Sequence, residues 1–166
     1  MTARNLTSRC ALAVLSVASV VAVAGCSMLG GSDDAKRDES SGEVTEAADA
    51  DVFSLAVGDC LDLSDFEETE VETLPVVPCS DPHDSEVYAE QELTGDEIPT
   101  DLDTQADQIC YDAFAPFVGI AYEESQLGYS YLAPTSVSWD QGDRNVQCIV
   151  SHLTEQVTST LEGSGI

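Results

Sequence analysis

Hydrophobic positions fall first into one unbroken run, then into a gap, and then into short periodic stretches. From Cys10 to Gly25 the sequence CALAVLSVASVVAVAG holds sixteen apolar or small residues and no charge. From Ser27 to Ala50, SMLGGSDDAKRDESSGEVTEAADA has almost no large apolar residue. Such a segment cannot bury enough surface to fold, so residues 26–50 are expected to be a disordered acidic tether. Periodicity begins at Asp51, and residues 51–166 are expected to be the folded domain.

Within that domain, Phe53, Leu55 and Val57 alternate ahead of Gly58-Asp59 and predict a first strand and turn over Asp51 to Leu63. Val71 to Cys79 is a second extended stretch, where Pro75 and Pro78 imply an edge position. Ser85 to Leu93 is a third strand. Ala106, Ile109, Cys110, Ala113, Phe114 and Phe117 then recur at spacings of three and four, as one face of a helix requires. Asp101 and Asp103 suit the N-terminal dipole of that helix, and Gly119 is placed to end it. Gly128 to Ala133 and Arg144 to Leu153 supply two more strands, the last introduced by the turn Asp140-Gln141-Gly142-Asp143. The pattern is that of an α+β domain: a small antiparallel sheet with one packed helix.

The leading apolar run follows Arg4 and Arg9 with no acid before it, the arrangement of a signal peptide over residues 1–25. Sixteen residues fall short of the roughly 20 that cross a bilayer. The run ends in Val23-Ala24-Gly25-Cys26, which resembles the lipobox of lipoprotein signal peptidase substrates. That resemblance implies diacylglyceryl and palmitate-type acylation at Cys26 and a lipid anchor on the extracytoplasmic face of the cell membrane, since two acyl chains hold where one is marginal.

Charge narrows the partners. All 32 acidic residues lie after Cys26 with only Lys36, Arg37 and Arg144 to oppose them, a formal −29 for the mature chain. From Asp51 onward, 25 acidic side chains face the single Arg144. Such a surface repels phosphate and excludes nucleic acid as a partner.

With Cys10 removed and Cys26 acylated, Cys60, Cys79, Cys110 and Cys148 remain in an oxidising compartment, where an even number implies two disulfides. Three pairings are possible. Cys110 lies on the apolar helix face and Cys148 shares a strand face with Val146 and Val150, which favours Cys110 with Cys148 and Cys60 with Cys79. The gaps of 18, 30 and 37 residues do not resemble a zinc site, whose paired cysteines stand roughly two to four apart.

The densest polar cluster is CSDPHDSEV, Cys79 to Val87. His83 with Asp81, Asp84 or Glu86 could hold a divalent ion, but spacing implies no second imidazole ligand, and a turn fixed by Asp and Ser side chains accounts for the same residues. Hydrolase chemistry would need a nucleophile, a base and an orienting carboxylate, which neighbours in one turn do not form. Trp139 either offers a binding platform or closes one end of the core. Arg144, among acids, is expected to fix its turn through a carboxylate. Tyr129 and Tyr131 share a strand face and belong either to the core or to an aromatic surface. His83, Trp139 and Arg144 are the candidate binding surface; no metal, cofactor or catalytic residue is expected.

VGDCLD, VPCSDPHDSEVYAE, the helix with Cys110 and Phe114, and SWDQGDRNVQCIV together resemble the septum-formation domain of actinobacterial envelope proteins over about Ala56 to Ser151. The resemblance implies disulfides at the four cysteine positions and a role in cell envelope or septum formation; it carries no catalytic residues. This chain departs from many members in its acidity and in having a lipobox instead of a membrane-spanning helix. The function expected is therefore a lipid-anchored, non-enzymatic module that binds an envelope or division protein. The alternative is an extracytoplasmic receptor for a ligand or divalent metal. Oligomeric state is left open.

Overall fold

The computed structural model describes residues 35–64, 66 and 71–166; the expected signal peptide over residues 1–25 and the expected acylation site Cys26 lie outside them. Six strands, β1 (Ala48–Asp51), β2 (Cys60–Leu61), β3 (Thr73–Val77), β4 (Ser85–Glu92), β5 (Leu127–Leu132) and β6 (Asn145–His152), form one sheet in the order β1-β3-β2-β4-β6-β5. Every neighbouring pair is antiparallel. The main helix, α1 (Leu102–Val118), connects β4 to β5, and a short helix, α2 (Ser136–Asp140), connects β5 to β6. The expected α+β class, a small antiparallel sheet with one packed helix and two disulfides, is the architecture found.

Helix α1 buries Ala106, Cys110, Phe114 and Val118, a stripe at the spacing of one helical face. The stripe lies on Tyr88, Val146, Cys148 and Val150 of the sheet. Gly119 ends the helix at φ +94°, a conformation that glycine enters without a Cβ penalty. The last carbonyls of α1 are also met from outside: Gly163 N–H donates to Phe117 O at 2.8 Å and Gly165 N–H to Val118 O at 2.9 Å. The C-terminal segment therefore caps the helix in place of water.

The pairing Cys110 with Cys148 ties α1 to β6, and Cys60 with Cys79 ties β2 to the end of β3. The sequence separations are 19 and 38 residues. Loops of those sizes correspond to about 3 and 4 kcal/mol of stabilisation in the chain-entropy account.

A second core lies on the other sheet face, and it corrects the expected tether. Ala35 and Val44 are buried, and Ala50 lies in β1, where it pairs with Leu74 of β3. Together with Leu55 they cover Leu61, Val76, Val87 and Ile149. Residues 35–50 are thus part of the fold, which does not begin at Asp51. They read as a tether because alanine and valine among acids carry a weak hydrophobic signal, sufficient only when a sheet face is already waiting. The segment is pinned by Arg37, which donates to both carboxylate oxygens of Asp59, at 2.5 and 2.7 Å, and to Ser54 O at 3.1 Å. Asp59 is only 3% exposed, so the fold contains a second structural arginine besides Arg144.

Two local expectations also change. Asp51 to Leu63 is not one strand: the Asp51 carboxylate accepts from Phe53 N–H at 2.8 Å and starts a 3-10 turn over Val52–Ser54. Phe53 and Val57 consequently face solvent, and of the alternating set only Leu55 is buried. Nor is β3 an edge, because β1 covers its outer side. Pro75 is tolerated there because its carbonyl accepts from Asp62 N–H just past the two-residue β2. Its missing N–H points to that same side, where the ladder has ended.

Candidate functional site

The turn before β4 sorts the crowded polar residues by role. His83 is fully buried. It exchanges backbone hydrogen bonds with Val157 in the C-terminal segment, N–H to Val157 O at 3.0 Å and O from Val157 N–H at 2.7 Å. Its Nδ1 lies 2.8 Å from Asp81 O. A carbonyl only accepts, so Nδ1 carries a proton. Nε2 is buried and, among the described residues, has no hydrogen-bond partner.

Glu86, one turn of pleat into β4, is 2% exposed. It accepts from Leu161 N–H at 2.7 Å and from the Thr160 hydroxyl at 2.8 and 3.0 Å. Burial raises its pKa above the ordinary 4.5, against the lowering effect of those donors and of His83. Asp84 accepts from Leu63 N–H at 3.0 Å and from the Ser85 hydroxyl at 2.7 Å, and Ser85 also meets the Ser151 hydroxyl. These contacts stitch β2, β4 and β6 together, and among the described residues no serine hydroxyl is bonded to the His83 ring. A nucleophile activated by a base is therefore not assembled here.

Trp139 and Arg144 build a closed corner at α2. The side chain of Thr135 accepts from Ser138 N–H, Ser138 Oγ accepts from Thr135 N–H, and this box starts the helix. Trp139 is buried at 4% exposure and donates Nε1–H to Asp96 O at 3.2 Å. The Arg144 guanidinium lies 3.8 Å over its ring and donates to the carbonyls of Trp139 and Asp143 at 2.7 and 2.6 Å. Arg144 thus fixes the turn through backbone oxygens and cation–π contact, where a carboxylate was expected.

The proposed common surface of His83, Trp139 and Arg144 does not form. His83 precedes the start of β4, whereas Arg144 O accepts from Leu93 N–H at its far end. Eight residues of strand separate the two, about 20 Å or more. His83 and Trp139 are both inside, each in a different corner.

Tyr129 and Tyr131 are half-buried against the helix-side core. Tyr129 stacks edge-on with Tyr122, at 4.9 Å between centroids, and donates to Asp107 at 3.0 Å. Burial first, and Asp107 second, push its hydroxyl up to about 12. The open features are elsewhere: a shallow groove of about 360 Å³ lined by Gln91, Thr104, Gln105, Gln108 and Ile109, and the exposed pair Phe53 and Val57 beside the Arg37–Asp59 bridge. The groove offers amides and a hydroxyl, groups that bind without titrating near neutrality.

Sequence reasoning missed Glu86 as a buried hub, the C-terminal clasp through Val157 and Leu161, and the packing of residues 35–50. A signal for the last existed in the alternation of Ala48, Ala50 and Val52. Among the described residues, no helix is long and apolar enough to cross a membrane.

No curated protein and no solved structure is similar enough to the chain to count as a match. A family described as septum formation matches residues 23–148, a span that takes in β1 to β5, both helices and all four disulfide cysteines. By that match, over most of its length, the chain belongs to the septum formation family.

Proposed function

We propose that this protein is a lipid-anchored extracytoplasmic lipoprotein whose domain is a non-catalytic interaction module in septum or envelope assembly. The observation that carries the reading is the family match over residues 23–148. Three others support it. Residues 1–25 have the order of a signal peptide and Cys26 stands where a lipobox places its acylated cysteine. Two disulfides suit an oxidising compartment. The carboxylates of Asp84 and Glu86 in the His83 turn are engaged in holding segments of the fold together. Phe53, 68% exposed, and Val57, 55% exposed, on the connection between β1 and β2, are a pair of exposed apolar side chains close in sequence that could anchor a partner.

The test is made in intact cells with the full chain. Crosslinking from position 53 should recover one defined membrane or wall-synthesis protein, and a fluorescent fusion should concentrate at division sites. Phe53→Ala should reduce the crosslink while leaving the thermal stability of the domain unchanged, and Cys26→Ser should release the chain from the membrane fraction and abolish fatty-acid incorporation. A uniform envelope signal with no recovered partner would overturn the interaction reading, and unchanged fractionation of C26S would overturn the anchor.

A further inference from the structure

Where β2 meets β4, the Cys60 sulfur, a ring nitrogen of His83 and a carboxylate oxygen of Glu86 lie within 4.8 Å of one another, and all three residues are buried. Cys60 is bonded to Cys79. A disulfide sulfur is a poor donor to a metal, whereas a thiolate is a strong one. The set is therefore complete except for one covalent change.

Two features fit a cation better than they fit packing. His83 Nε2 is fully buried and, among the described residues, has no hydrogen-bond partner, and in the neutral ring that nitrogen offers its lone pair to a metal. The opposite nitrogen is held by a backbone carbonyl, Asp81 O at 2.8 Å, the contact that commonly fixes the tautomer and orientation of a metal-bound imidazole. Glu86 is already oriented by Leu161 N–H and Thr160. One thiolate and one carboxylate would cancel the charge of a divalent ion, which a buried position requires. A nitrogen, a sulfur and an oxygen donor together select a zinc-type ion over calcium or magnesium.

We propose that the Cys60–Cys79 disulfide masks a zinc-type site made of Cys60, His83 and Glu86, and that reduction of the bond unmasks it. Cys79 is partly exposed while Cys60 is not, so a dithiol reductant attacks the Cys79 sulfur. A mixed disulfide forms there, the original S–S bond breaks, and Cys60 leaves as a thiolate beside His83. The second thiol of the reductant then displaces Cys79 and departs as a closed disulfide, having passed two electrons to the protein. Of the two dithiol protons one ends on Cys79, and the other goes to solvent as Cys60 takes the metal.

The full chain carrying Cys79→Ser isolates the thiol without any reductant and leaves Cys110–Cys148 intact. Titrated with Co²⁺ as a spectroscopic stand-in for Zn²⁺, C79S should bind one ion per chain with a sulfur-to-cobalt charge-transfer band, and oxidised wild type should show no band. Adding His83→Gln to C79S should weaken binding by about 10-fold or more, and this variant separates the site from any band carried by another cysteine. Circular dichroism reports whether C79S folds. If it does not, wild type reduced by a phosphine, which becomes the phosphine oxide with oxygen from water, takes its place beside reduced H83Q. Absence of the band in whichever chain is folded, or a band indifferent to H83Q, would overturn the proposal.

Discussion

Glu86 and Arg37 show how single charged side chains are accommodated in an acidic protein. Burial holds the folded pKa of Glu86 above its ordinary 4.5, so the protonated carboxyl is the form the fold prefers. The stability this group contributes is complete below its unfolded pKa and is lost as pH rises through the higher folded value. Glu86→Gln imitates the protonated form. Its stability relative to wild type should therefore be most favourable at neutral pH and should decline as pH falls toward 4.5, which urea midpoints across that range would measure. A difference independent of pH would mean that Glu86 does not titrate differently on folding. For Arg37 the issue is an orphaned partner: Arg37→Ala leaves Asp59, 3% exposed, with a buried unpaired charge. The guanidinium itself is 24% exposed, which lowers the expected loss to about 2–4 kcal/mol in chemical denaturation. A loss under about 0.5 kcal/mol would assign the pair to the solvent-screened class. Neither role was legible in the sequence, because Glu86 and Arg37 each look like one more charge until Leu161 and Asp59 arrive from 75 and 22 residues away.

Among the elements, β1 has consequences out of proportion to its four residues. It covers the outer side of β3, and with Ala35 and Val44 it closes the second core over Leu74 and Val76. A chain beginning at Asp51 would lose that cover, and several side chains worth about 1.5–3 kcal/mol each when buried would meet water. Such a chain is expected to bind a hydrophobic dye and to unfold without a sharp transition. A cooperative transition at the midpoint of the full chain would return residues 35–50 to the role of a linker. The strands β3 to β6 and helix α1 were legible because their own side chains repeat at the period of the element they form. Phe53, Leu55 and Val57 repeat at period two and still do not form a strand. There the Asp51 side chain captures Phe53 N–H, and a local hydrogen bond outcompetes the ladder.

At the scale of the molecule, charge opposes compaction. Residues 35–166 carry 30 acidic side chains against Lys36, Arg37 and Arg144, so like-charge repulsion works against the two cores and the two disulfides. Raising ionic strength from about 0.01 M to about 0.15 M shortens the screening length from roughly 30 to 8 Å. The thermal midpoint should rise across that range in sodium chloride, most steeply at its lower end; a flat response would show that the carboxylates stand too far apart to couple. The α+β class, the disulfide partners and the family resemblance could be read from the sequence alone, since each rests on spacing within one segment or on the faces of two regular elements. Only the tertiary structure decided that the acidic segment from Ala35 is part of the fold and that Trp139 is sealed under Arg144. It also decided that Cys60, His83 and Glu86 meet in one buried corner. Burial and pairing between segments dozens of residues apart are properties of the closed chain, and local pattern carries no record of them until both sheet faces are covered.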